Sequence, residues 1–486
     1  MDDDIQIHRD TKTKLMQNIF LTTTLPYANS IPHVGHALEF MQASAIKRYF
    51  VSRGSDVFLN VGADEHGLKM YEAGGSNPDS VMKYLDEMSI NWIDFCFNFE
   101  IDFDRFYRTT DSTHAENVSK FWQRLVASGD IYMAPYEGNY CSGCESFKTE
   151  TELVNGKCSD HPNTEITPVS EMNYFFALSK YTYALMNNSA TTIFPRSKNN
   201  ELQNIMAGAK DISISRSASK VPWGIPVPND STQTIYVWFE ALLNYLFAQS
   251  EEEWNDANCV TIQLCGPDNI KFQGMLWQAM LSAGKCKNTD YLIVHGTVLD
   301  KDGLKMSKSL GNVLDPVKLL ERHGLSSVRY YALKGLNTFE NSGWDEGAQI
   351  KLYNSDLANN YGNLLARTLH LMNLYGMRAP MKPTGEVEVQ IKKTIGAYEL
   401  HMSSFEIRHA LEEAMELLTY GNVIMNGERP WEEECQIRES VLSNIWHILN
   451  AATDMLSIAL SARDINTVRN ALSEVTKVIV FPRVKT

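Results

Sequence analysis

The sequence predicts an α/β protein: a parallel sheet wound with helices, interrupted by an inserted module and followed by an all-α region. Three observations carry this. Extended and helical patterns alternate from residue 18 to 64, a stretch rich in Cys, Gly and Pro breaks the alternation from about 133, and nearly every segment after about 317 has helical spacing.

The elements follow in order. "NIFLTTTL" (18–25) is β-prone and runs into the turn "PYANSIP"; "HALEFMQASAIKRYFVSRG" (36–54) has helical spacing and stops at Gly54; "DVFLNVGAD" (56–64) is the next strand. This β-turn-α-β unit belongs to parallel sheets, and Asp64 falls at the carboxyl end of its strand, where such sheets bind ligands. Residues 65–125 read as mostly helical, and 133–170 as short β-prone pieces. The Pro-rich stretch 212–230 marks a boundary, after which "TIYVWFEALLNYLFAQ" (234–249) resumes as strand passing into helix. "CVTIQLCGPDN" (259–269) and "YLIVHGTVL" (291–299) are further strands with a helix between them.

The chain has 486 residues and a formal net charge of −15, which argues against non-specific coating of nucleic acid. Residues 285–330 nevertheless hold eight Lys and Arg against five Asp and Glu, a locally basic stretch. The first seventeen residues lack the apolar core of a signal peptide, and no apolar run is long enough to span a membrane, so a cytoplasmic location is expected.

Four groups of residues carry chemistry. In "PYANSIPHVGHALEF" (26–40), His33 and His36 flank Gly35 at a strand-to-helix junction. A helix N-terminus attracts anions, and two imidazoles three apart can donate to phosphate oxygens; taken alone, the same pattern reads as a capped helix with two satisfied histidines. In "DKDGLKMSKSLGNVLDP" (300–316), Lys301, Lys305 and Lys308 crowd a loop between Gly303 and Gly311, which suits a clamp over a polyphosphate. Cys141-x2-Cys144 and Cys158-x2-His161 are two hooks separated by 13 residues, the pattern of one tetrahedral, structural Zn²⁺. Asn359, Asn363 and Arg367 fall four apart on one helical face, with Trp431 further along; these read as a polar face and a core Trp, or as groups that read bases.

H-V-G-H near the start and K-M-S-K-S some 270 residues later resemble the paired signatures of class I aminoacyl-tRNA synthetases. Together with "GADEHGLK", "SRSASKVPWGIPVP" and "HGTVLDKDGLKMSKSLGN", they resemble the methionyl-tRNA synthetase family, one-knuckle type, over residues 18 to about 435. The resemblance implies a Rossmann-type doubly wound parallel sheet in two halves, 1–125 and 212–300. It also implies a zinc-knuckle insert at 126–211, a lysine-loop and stem-contact region at 301–350, and an α-helical anticodon-binding domain at 351–486.

It further implies a two-step reaction: methionine is activated by ATP with Mg²⁺, then transferred to tRNA. His33 and His36 would hold phosphates, and Lys305 and Lys308 would stabilise the pentavalent phosphorus and leaving pyrophosphate. Gly35, Asp268, His295, Val298 and Ser307 would contact ATP, with His295 and Val298 flanking adenine and Asp268 the ribose. Leu25, Tyr27, Asp64, Trp238, Tyr245, Phe272 and Gln273 correspond to the methionine site, Asp64 pairing with the ammonium. Asn359, Asn363, Arg367 and Trp431 would meet the anticodon, and the acceptor end would enter the active site. No appended dimerisation module is evident, so a monomer is expected.

The chain departs from the family pattern at four places. Pro267 stands where Lys is usual, Gln273 where His lines the side-chain pocket, Glu240 where Asp is usual and Gln278 where Pro is usual. A pocket discriminates a methylene by only about 1–3 kcal/mol, so one lining residue can shift the preference. A paralogue activating a related amino acid is therefore the second reading, and a tRNA-binding protein without catalysis the third.

Overall fold

The computed structural model describes residues 18–143, 146–148, 153–159, 163–188, 190–306, 311–433 and 435–484. Its centre is a six-stranded parallel sheet of β1 (Asn18–Thr22), β2 (Asp56–Ala63), β3 (Arg105–Arg108), β4 (Thr192–Phe194), β5 (Cys259–Cys265) and β6 (Tyr291–Val294). The spatial order is β3-β2-β1-β5-β6-β4. The chain winds outward from β1 in one direction and from β5 in the other, so a crevice opens beyond the carboxyl ends of these neighbours. The central strands are near-continuous apolar runs because helices cover both faces.

Helix α1 (Val34–Ser52) follows β1, α2 (Pro78–Asn98) and α3 (Ser112–Ala127) flank β3, and helices dominate from Pro316 onward. The largest core joins α1, the central strands and the C-terminal helices. Arg329 is buried at that junction, donating to the carbonyls of Phe99 and Ile458 and to Ser44 Oγ.

Three details differ from the sequence expectation. The mostly helical stretch 65–125 contains β3, whose four residues Arg-Phe-Tyr-Arg offer too short and too charged a pattern to read as a strand. Thr192–Phe194, inside the stretch assigned to the insert, forms the sheet edge beside β6, whereas Ile212–Ser213 pairs back with the insert strand Ile166–Phe176. The strand Asp230–Ile235 does resume before a helix, but it pairs antiparallel with Ser215–Ser217 and Pro226–Val227 in a side sheet. Among the described residues, no helix is long and apolar enough to cross a membrane.

Candidate active site

The crevice holds a cavity of about 370 Å³. Leu25, Tyr27, His33, Gly35, His36, Asp64, Trp238, Asp268, His295, Val298 and Lys305 all line it, so residues 280 positions apart in sequence meet there. Ser307 and Lys308 lie outside the described residues.

The histidine pair is built by the helix end itself. His33 is the N-cap of α1, and its Nδ1 accepts from the Gly35 amide at 3.1 Å. His36 Nδ1 reaches back to accept from the His33 amide at 3.4 Å, closing a capping box made of imidazoles. The rings stack with centroids 3.8 Å apart. Because each Nδ1 accepts, a neutral ring carries its proton on Nε2, and both rings become donors. Burial, and then repulsion from any charge on His33 and His295, pushes the His36 pKa well below the ordinary histidine value. A Cβ on Gly35 would sit 2.9 Å from His33 Cε1, which explains the residue between the two imidazoles.

Glu39, one turn further along α1, braces the cavity from below. Its Oε1 accepts from the Thr24 amide at 2.6 Å, fixing the segment that carries Leu25 and Tyr27. Its Oε2 accepts from His295 Nε2 at 2.9 Å, while His295 Nδ1 donates to the Gly296 carbonyl at 2.8 Å. Burial alone would lower the His295 pKa, but the Glu39 carboxylate more than offsets it and the net shift is upward. Sequence reasoning missed Glu39; its one signal was a carboxylate set between Leu38 and Phe40 in an apolar helix face.

At the cavity mouth, Lys305 Nζ donates to Asp268 Oδ2 at 2.8 Å. Both groups are mostly exposed, so the pair adds little stability, but it carries the lysine loop across to the loop after β5. Asp300 organises that loop, its Oδ1 accepting from the Asp302 and Leu304 amides and its Oδ2 from Asn312 Nδ2. The Asn312 bond leads the contacts that lower the Asp300 pKa.

At the other end, Asp64 lies buried where the turn after β1 meets the end of β2, with backbone bonds from Ala28 N to Asp64 O and from Asp64 N to Pro26 O. Trp238 lines the cavity, and Phe272 stacks on it at 3.9 Å. Phe272 and Gln273 sit on a π-helical turn, Lys271–Leu276, and with Tyr245 they stand behind the cavity lining. Gln273 is buried; its Nε2 donates to Thr24 Oγ1 and to Tyr245 Oη at 3.0 and 3.1 Å. Its Oε1 has no hydrogen-bond partner among the described residues. Gln278 lies in a separate buried network with Thr289, Asn288 and the Gln273 carbonyl. Glu240, which sequence reading noted only as a departure, is buried between His66 Nδ1 at 2.9 Å and His114 Nε2 at 2.6 Å, and His114 Nδ1 meets Tyr107 Oη.

With this geometry in place, likeness to known proteins becomes informative. A family model described as tRNA synthetases class I (M) matches residues 19–165 and 150–369. The chain belongs to the methionyl-tRNA synthetase family. It is 35% identical over 470 residues to a methionine–tRNA ligase of Nostoc sp., covering 91% of this chain and 88% of that one. It is 36% identical over 439 residues to the chloroplastic/mitochondrial enzyme of Arabidopsis thaliana, covering 85% of this chain and 70% of that one. The solved Mycobacterium tuberculosis methionyl-tRNA synthetase in complex with methionyl-adenylate superposes with a TM-score of 0.85 at 29% identity, covering 97% of this chain and 99% of that chain.

The other two candidate sites are separate from this cleft. Cys141 ends the strand Ile131–Cys141 and Cys158 ends the hairpin strand Lys157–Cys158; both are buried. Cys144 and His161 lie outside the described residues. In the helical region, Arg367 lies over the half-exposed Trp431 ring at 5.0 Å and donates to Asn426 Oδ1. Asn359 accepts from Arg483 Nε at 2.7 Å, and Asn363 lines the same surface groove.

Proposed function

We propose that this chain is a methionine–tRNA ligase, forming methionyl-adenylate from methionine and ATP and passing the acyl group to tRNA. The observation that carries the reading is the convergence of His33, His36 and Lys305 on one crevice that also holds Asp64 and Trp238. An anion-binding helix end and a cationic loop face one another, with an amino-acid pocket beside them.

In this reading, the Asp64 carboxylate pairs with the ammonium of methionine, and Leu25, Tyr27, Trp238, Tyr245, Phe272 and Gln273 enclose its side chain. The triphosphate, arriving as its Mg²⁺ complex, lies along the start of α1 with Gly35 against it. His295 and Val298 flank adenine, with Asp268 at the ribose and Ser307 on the loop. The methionine carboxylate attacks the α-phosphorus and pyrophosphate leaves. The Nε2–H groups of His33 and His36 donate to phosphate oxygens as charge builds, and Lys305 and Lys308 neutralise the leaving group. The terminal hydroxyl of tRNA then attacks the acyl carbon and AMP leaves.

Cys141, Cys144, Cys158 and His161 would hold one structural Zn²⁺, and the two buried thiols fit such a site; bound zinc would cross-link the insert. Asn359, Asn363, Arg367 and Trp431 would read the anticodon.

ATP–pyrophosphate exchange with each amino acid in turn tests the reading. Exchange dependent on methionine is expected. Exchange with another amino acid would reassign the pocket, and none at all would leave a tRNA-binding protein.

A further inference from the structure

A cluster of imidazoles and carboxylates lies far from the chemistry above, at the turn between the helices Gly385–Ser403 and Ile407–Glu428. His401 is in the last turn of the first helix, Glu406 is the N-cap of the second, and His409 is three residues further on. His401 Nδ1 lies 2.9 Å and His409 Nδ1 3.4 Å from the same Glu406 oxygen, Oε2. One ligand atom from each residue lies within 4.8 Å of the others. Glu413, one turn on from His409, faces the opposite nitrogen of His401, with Oε1 3.8 Å from Nε2.

The turn is held in this shape by something other than the cluster. Phe405 sits in the left-handed region at φ +57°, a conformation bulky residues avoid. Its ring is buried edge-on against Phe194 of β4 and Tyr291 of β6, at 5.1 and 5.8 Å. The Glu406 amide donates back to the His401 carbonyl at 2.9 Å. The backbone therefore presents the three side chains together, and the price in strain is met by packing against the sheet edge.

We propose that His401, Glu406 and His409 form a binding site for a divalent late first-row transition ion such as Zn²⁺, Ni²⁺ or Co²⁺. Imidazole with carboxylate selects these ions over Mg²⁺ and Ca²⁺, which prefer all-oxygen sets. The two Nδ1 atoms and a Glu406 oxygen supply three ligands, and water completes the shell because the site opens to solvent. Glu413 then takes the role carboxylates commonly play behind metal-bound histidines, accepting from the far ring nitrogen and fixing its orientation. An ion here would pin the end of one helix to the start of the next at the joint where the bundle meets β4 and β6.

Ni²⁺ titration by calorimetry tests the site, on full-length protein that keeps one zinc per chain in the cysteine hooks and has been dialysed against a weak chelator so that the solvent-open histidine site starts empty. One equivalent is expected in the unsubstituted protein. His409→Gln, a half-exposed position that should fold normally, is expected to weaken it by at least about tenfold, with His401→Asn doing the same and Glu413→Gln less. The ion should also raise the thermal midpoint of the unsubstituted protein and not that of His409→Gln. A Ni²⁺ equivalent that survives both histidine substitutions, or no equivalent in the unsubstituted protein, would overturn the assignment.

Discussion

The crevice and the candidate tRNA-reading surface of the helical region hold their polar groups in opposite ways. In the crevice, the three histidines are braced by partners the substrate would not displace: backbone amides fix His33 and His36, and Glu39 fixes both His295 and the Thr24 segment. On the helical surface the candidate readers hold one another, Arg367 on Trp431 and Asn426, and Asn359 on Arg483 of the C-terminal tail. The first arrangement is preorganised and needs no rearrangement at the moment of reaction. The second must give up internal contacts to meet a base. Small changes should therefore damage the crevice severely and the helical surface mildly.

The largest expected effect is that of Gly35→Ala. The new methyl group collides with the His33 ring, and a displacement of about 1 Å at a reacting site costs on the order of 10²-fold in rate. Single-turnover adenylate formation should fall by that factor, with the circular-dichroism spectrum and thermal midpoint little changed.

Glu39→Ala removes one partner of a buried pair and is expected to cost about 3 kcal/mol of stability in urea unfolding. The sign of the pH dependence is fixed by His295. Its folded pKa is raised, so its contribution is complete below the ordinary histidine value and disappears as pH rises through the raised one. His36, with a lowered pKa, acts oppositely: it destabilises the fold as pH drops below the ordinary histidine value, because only the unfolded chain then takes up the proton. Comparing unfolding curves across about pH 5.5 to 8.5, Glu39→Ala should abolish the alkaline loss and retain the acid one.

How much of this was legible beforehand follows from where the partners sit. The histidine pair and the lysine loop were readable because each is a contiguous string whose chemistry is local. Glu39 was not, because its partners Thr24 and His295 come from two other segments and its own surroundings look like helix core. The edge strand Thr192–Phe194 was hidden for a related reason: three residues within a module of different character give no periodic signal. On the helical surface, the spacing of Asn359, Asn363 and Arg367 was visible. That residues 479–483 return to line a groove beside Asn359 was not, since nothing local marks that groove.

Two milder expectations come from that surface. Trp431→Ala should reduce kcat/KM for tRNA charging about tenfold, the worth of one stacked base, while pyrophosphate exchange is unchanged. Arg483→Ala, an exposed contact, should alter the KM for tRNA by no more than about threefold and leave exchange intact. Equal loss of exchange in either variant would mean that the helical surface is not separable from the crevice.

The central claim is that the imidazoles at the start of α1 and the lysine loop act on one triphosphate. A double-mutant cycle of His33→Asn and Lys305→Met, read in single-turnover adenylate formation, tests it most directly. Groups that share a substrate should couple, so the combined loss should differ from the sum of the single losses by about 1.4 kcal/mol, or tenfold in rate. Losses that add to within about 0.4 kcal/mol would contradict the claim.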